Sequence, residues 1–302
     1  MTGRRYLATL AGLAAVYFVA GRLGLALAFV NRSATAVWAP TGIALAAFLV
    51  LGYRFWPGIL AGAFFVNLAT SGGIAISAGI AIGNTLEGLI GAYVANRFAG
   101  GRRAFERPQD VFKFAFFAGV LSTLVSATFG STSLVAGGRA SWAEYRPIWL
   151  TWWLGDMVGD FVIAPFLLLW AEGQRPRWNG RRVAEAALLV TSLLAVGGAV
   201  FGGRAPGGGS YLCIPILIWA AFRFGPRETA AASLLLSAIA IWGTLRGFGP
   251  FAVNSPNESL LRLQAYMGVV TVMVIAIAVV VRRQRTADQI NAQLLAELRA
   301  QR

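Results

Sequence analysis

Leu261-Arg262-Leu263-Gln264-Ala265-Tyr266-Met267-Gly268-Val269-Val270-Thr271-Val272-Met273-Val274-Ile275-Ala276-Ile277-Ala278-Val279-Val280-Val281 is an apolar run whose one charged side chain, Arg262, sits at its edge. A helix rises about 1.5 Å per residue, so this run is about 30 Å long, the thickness of a bilayer's hydrocarbon layer. It closes on Arg282-Arg283-Gln284-Arg285, a basic cluster of the kind that stops a crossing at the headgroups. Nine more apolar runs bounded by glycine, proline or arginine precede it, near 6–30, 38–51, 56–70, 74–96, 111–135, 148–170, 183–201, 211–224 and 228–245. The expected fold is therefore all-α, a polytopic transmembrane helical bundle of 8–10 helices. The runs 38–51, 56–70 and 211–224 fall short of the roughly 20 residues of a straight crossing and are expected to be re-entrant or central.

Composition agrees with that class. The 302 residues are 57% hydrophobic and 13% charged, against about 25% charged in soluble domains. The mean hydropathy is +0.66. The first run continues from Tyr6 to Val30 without a small-residue cleavage pattern, so it is expected to stay as a helix.

The net charge of +14 comes from arginine and a single lysine, Lys113. These residues lie in short clusters between apolar runs, and no basic stripe interleaves with aromatics, so nucleic acid is not an expected partner. With the amino terminus in the cytoplasm and ten alternating crossings, 19 basic residues fall on the cytoplasmic side and six outside, with Arg22 inside the first run. The expected location is a bacterial inner membrane, multi-pass, with both termini cytoplasmic.

The chain has no histidine and one cysteine, Cys213. The first absence removes the commonest metal ligand and general base, and with it a histidine phosphoacceptor or histidine-ligated haem. Cys213 has no second cysteine to pair with and reads as packing. No cofactor and no metal are expected, and the chain is not expected to be an enzyme. Gly202-Gly203 and Gly207-Gly208-Gly209 lack the context of a phosphate loop and read as outer turns.

Buried ionisable groups are the candidate functional residues, because each costs roughly 2.5–3.5 kcal/mol at the centre of a membrane helix. Glu87 shares a helix face with Gly83 and Gly91, with Asn84 one turn before it. Asp156 and Asp160 stand four apart with Trp152 on the same stripe and Gly155 and Gly159 beside it. Trp152 and Trp153 lie deep enough to line a cavity, whereas most other tryptophans fall near run ends, where indoles favour the headgroup zone. Arg22 is the one comparably deep cation and is expected to pair with one of the acids. The alternatives are interhelical bonds that fix helix register, or a ligand or proton site. Two acids on one helical stripe suit glycoside hydrolysis poorly, since that chemistry places carboxyls on opposite sides of a sugar.

Pro40 precedes a run ending in Arg54-Phe55-Trp56-Pro57, and Pro215 one ending in Arg223-Phe224-Gly225-Pro226. The two spacings differ by six residues, so duplication is one option beside coincidence. After the last run, 286–302 is polar and helix-favouring, with Ile290, Leu294 and Leu298 on one face. The expected organisation is a membrane domain over 1–281 and, over 282–302, a cytoplasmic exit helix. That helix is either a solvated amphipathic end or the start of a signalling coiled coil.

Several strings together resemble the MASE1 family of bacterial membrane-associated sensory domains. They are Val37-Trp38-Ala39-Pro40-Thr41-Gly42-Ile43-Ala44, Trp56-Pro57-Gly58, Gly83-Asn84-Thr85-Leu86-Glu87, Thr151-Trp152-Trp153-Leu154-Gly155-Asp156 and Ala164-Pro165. Trp219-Ala220-Ala221-Phe222-Arg223-Phe224-Gly225 and Gly249-Pro250-Phe251 are similar too. The resemblance covers most of the chain and implies an input module that passes a signal through its last helix to a cytoplasmic output of histidine kinase or diguanylate cyclase type. Arg302 falls about where such an output would begin, so the chain is expected to be part of a longer receptor or to act in trans. A second copy of the chain is a further candidate partner, beside the bilayer itself. The family carries no catalytic constellation, so ligand binding or coupling by Asn84, Glu87, Trp152, Trp153, Asp156, Asp160 and Arg22 is an expectation from the residues. A transporter or uptake component is the alternative, motivated by the paired short runs and the buried acids.

Overall fold

A computed structural model describes residues 3–26, 35–71, 73–171, 178–204 and 209–301. Among them the chain forms ten helices: α1 (Gly3–Ala26), α2 (Ala39–Leu51), α3 (Trp56–Ser71), α4 (Ile74–Phe98), α5 (Pro108–Ala136), α6 (Tyr145–Ala171), α7 (Gly180–Phe201), α8 (Ile214–Arg223), α9 (Pro226–Leu245) and α10 (Pro256–Ala300). Each apolar run of the sequence becomes one helix. Seven are long and apolar enough to cross a membrane, and the short ones are those whose runs are short. α2, α8, α9 and α10 each place a proline in the first helical turn, where its missing N–H costs nothing. α10 is also capped by the Ser255 side chain, which accepts from the Glu258 N–H.

Contacts between loops define two ends of the bundle. At one end the Tyr6 hydroxyl donates to the Arg54 carbonyl (2.9 Å), Arg102 to the Ala171 carbonyl (3.2 Å) and Arg282 to the Phe105 carbonyl (3.1 Å). Arg182 donates to the Phe224 carbonyl (3.3 Å), and Arg223 pairs with Glu185 at 2.5 Å. At the other end Trp142 stacks on Tyr145, Thr151 meets Asn257, and the Tyr266 hydroxyl donates to the Ser210 carbonyl. The start of α1 and residue 282 therefore share the basic end. Arg32, Arg175, Arg177 and Arg302, counted in the charge asymmetry, lie outside the described residues, as do Gly207 and Gly208.

α2 is a 13-residue helix that is apolar all round and largely buried, as a central helix must be. It begins inside the bundle and ends at the basic end. α1 touches α2 and runs parallel to α3 at close range: a Cβ on Gly62 would lie 2.8 Å from the Ala14 carbonyl oxygen. The order of packing recurs. α1 packs on α3, α2 on α4 and α3 on α4; likewise α7 packs on α9, α8 on α10 and α9 on α10. α5 contains a π-helical stretch, Ala115–Leu121, a feature that favours functional positions. α10 continues without a break through Arg282-Arg283-Gln284-Arg285, and residues 283–301 are exposed.

Candidate functional site

The polar groups of α1, α2, α4, α5 and α6 meet beside the inner start of α2. The preceding residues, Thr35 to Trp38, lie against α6, and the Trp38 N–H donates to the Gly155 carbonyl at 3.0 Å. Only glycine permits this approach: a Cβ on Gly159 would stand 2.3 Å from the Trp38 carbonyl oxygen, and one on Gly42 2.4 Å from the Gly159 carbonyl oxygen. The first turn of α2 thus lies on the centre of α6, where the Thr41 hydroxyl donates to Asp156 Oδ1 at 3.2 Å. The positive end of a helix dipole favours a carboxylate at such a place.

A chain of hydrogen bonds joins four helices behind that contact. Trp152 Nε1 on α6 donates to Ser126 Oγ on α5 at 3.1 Å, and Ser126 donates to Asn84 Oδ1 on α4 at 2.7 Å. Asn84 Nδ2 donates in turn to the Tyr17 hydroxyl on α1 at 3.0 Å. Gly130 makes room for the Trp152 ring, since a Cβ there would meet it at 2.6 Å.

Glu87, Asp156 and Asp160 are 1%, 0% and 1% exposed and lie within Coulombic range of one another. Among the described residues, Asp156 Oδ2 and Asp160 Oδ1 find no hydrogen-bond partner, whereas the Glu87 carboxyl has the Ser126 and Thr41 hydroxyls beside it and the Trp38 indole lies beside the Tyr17 hydroxyl. Buried polar atoms are satisfied nine times in ten, so two unpaired carboxyl oxygens in one cluster mark it as the candidate site. A narrow cavity of about 10 Å³ reaches Asp156 from the end opposite the arginines, past Thr35, Asn67, Thr151 and Trp152. That is about the space needed for the centre of one water. Among the described residues no histidine, cysteine or carboxylate group is arranged to hold a metal ion.

The structure brings together Asn84, Glu87, Trp152, Asp156 and Asp160, and separates two other candidates from them. Trp153 is half-buried, stacks on Trp149 and donates Nε1 to the Val120 carbonyl in the π-helical stretch at 3.0 Å. One residue along a helix is a turn of about 100°, which takes it off the Trp152 face. The pairing expected of Arg22 is corrected: Arg22 is exposed on α1. Its neighbour Gly21 faces Val66 and Trp38 inside, so Arg22 points outward. Ion pairs among the described residues include those of Glu106, Asp110, Glu185 and Glu258. Tyr17, Thr41 and Ser126 are members of the site that sequence reasoning missed. Thr41 carried a signal, since it follows Pro40 at the start of a short helix; Tyr17 is one hydroxyl in an apolar run, and Ser126 is one of several Ser and Thr residues in its run.

Fold and site together define a polytopic α-helical membrane protein with a buried carboxyl cluster at the start of a half-length helix. The chain belongs to the MASE1 family, whose model matches residues 9–285. It is also similar to the probable diguanylate cyclase DgcF of Escherichia coli O157:H7, 25% identical over 170 residues, which covers 56% of this chain. The match spans 34% of that protein, about a third of its length. No solved structure matches the chain.

Proposed function

We propose that this chain is the membrane input module of a signalling system, binding a ligand or partner at the cluster of Asn84, Glu87, Trp152, Asp156 and Asp160 and relaying occupancy through α10. The observation that carries this is the continuity of α10. Inside the bundle its Gln264 donates to the Thr35 and Thr151 carbonyls at 3.0 and 3.1 Å, beside the site. Past the basic end the same helix runs on exposed, with Ile290, Leu294 and Leu298 uncovered. Any guest that binds two helix arrangements with different affinity shifts their populations, and a rigid helix carries the shift outward. The chain itself performs no catalysis in this scheme.

The gathering of arginines at one end supports placing both termini in the cytoplasm. There Ile290, Leu294 and Leu298 form the start of a coiled coil with a second copy or with an output of kinase or cyclase type. Cyclic-di-GMP signalling is the output that the similarity to a probable diguanylate cyclase favours. The test is a crosslinked pull-down from native membranes, comparing the full chain with one ending at Arg285. Capture of a kinase or cyclase by the full chain alone supports the relay; equal capture by both forms overturns the role of the tail.

Transport is the second reading, favoured by a helix that begins mid-bundle beside a carboxylate and by the recurring packing order. Solute or ion flux in proteoliposomes, lost in Asp156→Asn, would establish it in place of sensing.

A further inference from the structure

A second feature lies outside the carboxyl site. Along α10, from Gln264 to Gln284, runs an open and almost wholly apolar groove of about 860 Å³, walled by Phe112 of α5, Met157 and Phe161 of α6 and Phe222 of α8. That volume is within the ~300–1,000 Å³ of ligand sites. The groove spans some 20 residues of helix, or about 30 Å, so it follows the membrane normal. Its mouth is at the basic end. Arg285 donates to the carbonyl of Phe222 in the groove wall, Arg282 reaches the Phe105 carbonyl, and Arg283 and Lys113 are exposed beside Gln284 and Phe112. The nearby carboxylates include Asp110, which pairs with Lys113 at 3.7 Å, Glu106 with Arg103 at 3.9 Å, Glu185 with Arg223 at 2.5 Å, and Asp288 one turn further along α10. The mouth is left with a positive excess.

An apolar slot with a cationic mouth at headgroup level matches an amphiphile with an anionic head. A parallel second copy is the poorer fit, because it would bring its own Arg282, Arg283 and Arg285 to the same depth. We infer that this groove is a binding site for an anionic phospholipid, acyl chains along α10 and headgroup on Arg283 and Arg285. Because the occupant lies along the exit helix and against Phe161, next to Asp160 in sequence, the lipid also sets how α10 packs.

The test uses the full chain, delipidated in detergent, mixed with dioleoylphosphatidylglycerol or dioleoylphosphatidylcholine and examined by native mass spectrometry. Phosphatidylglycerol should be retained in preference to phosphatidylcholine. Val272→Trp, which fills the groove, should remove retention of both. Val269→Trp, at a 69% exposed position lining the same groove, repeats that test without disturbing the core. Arg283→Gln with Arg285→Gln should lower phosphatidylglycerol retention by about fivefold per charge removed while sparing phosphatidylcholine. Val190→Trp, on an exposed face of α7, should change nothing. Equal retention of the two lipids, or retention untouched by both groove-filling variants, overturns the inference. So does a disulfide-linked dimer formed by Val269→Cys, which would show a second copy in the groove.

Discussion

The Thr41 hydroxyl donates to Asp156 Oδ1 across 3.2 Å, tying the first turn of a half-length helix to the middle of the 27-residue α6. Both side chains are buried, so the bond is not exchanged for water when it breaks. Leaving a buried polar group unpaired costs about 1–3 kcal/mol. Thr41→Val should therefore destabilise the bundle by that amount, and Asp156→Asn should keep the chain inserted while altering output coupling. The two changes are expected to be non-additive by about 0.5–3 kcal/mol, as for any contacting pair. A double-mutant cycle on thermal unfolding in detergent, with a reporter of output in cells, checks both; strict additivity and unchanged output would remove the pair from the mechanism.

The glycine seam beneath that contact gives a sharper structural prediction. A Cβ at Gly159 would lie 2.3 Å from the Trp38 carbonyl oxygen, an atom of the backbone that has nowhere to go. Gly159→Ala should lower stability by about 1–3 kcal/mol, the range for overpacking. Gly198→Ala on α7 is the control, since nothing lies within 4 Å of a Cβ there. Removing a glycine from that helix should be neutral or slightly stabilising. Equal melting temperatures for the two variants would contradict the close approach of α2 and α6.

The order of helices was legible because apolar runs and their proline, glycine and arginine boundaries are local. Pro256 and Ser255, for example, mark the start of α10 as plainly in sequence as in structure. Glu87 and the pair Asp156 and Asp160 were legible for a related reason: a carboxylate inside an apolar run has no cheap place except a protein interior. What could not be read was which side chains answer them. Tyr17 reaches Asn84 across 67 residues and Thr41 reaches Asp156 across 115. No periodicity within one helix encodes such contacts. Arg22 failed for a converse reason, since depth along a helix was legible but the face it occupies depended on where α3 packs.

Phe161 offers a test of the relay. Its ring is wedged between Gly119 in the π-helical stretch of α5 and Gly268 on α10, where added Cβ atoms would lie 2.1 and 3.3 Å from it. Asp160, one residue earlier, belongs to the carboxyl cluster, so in the proposed relay motion there would reach α10 through this ring. Phe161→Ala should cost about 3–5 kcal/mol by opening a cavity. Phe161→Leu should keep most of the packing and still weaken transmission. With a spin label at Leu298, the response to Asp156→Asn should shrink in Phe161→Leu; an undiminished response would route the signal elsewhere.

The placement of the ends can be decided by chemical labelling, and the native chemistry makes this clean. Cys213 is fully buried and is the one cysteine, so Cys213→Ala supplies a background without reactive thiols. Arg103 and Arg299 are exposed at or beyond the basic end, whereas Arg139 is exposed in the turn after α5, at the other end. Cysteines introduced singly at these three positions are treated on intact cells with a membrane-impermeant maleimide. Labelling at 139 alone, with 103 and 299 reacting only after the membrane is opened, is the outcome expected from the arginine asymmetry. The reverse pattern would put the exposed tail of α10 outside the cell, where no cytoplasmic kinase or cyclase could read it, and the relay through that helix would fall. Labelling at 103 but not 299 would instead separate two positions that the hydrogen bond from Arg282 to the Phe105 carbonyl puts on one side, and would refute the packing of α10 itself.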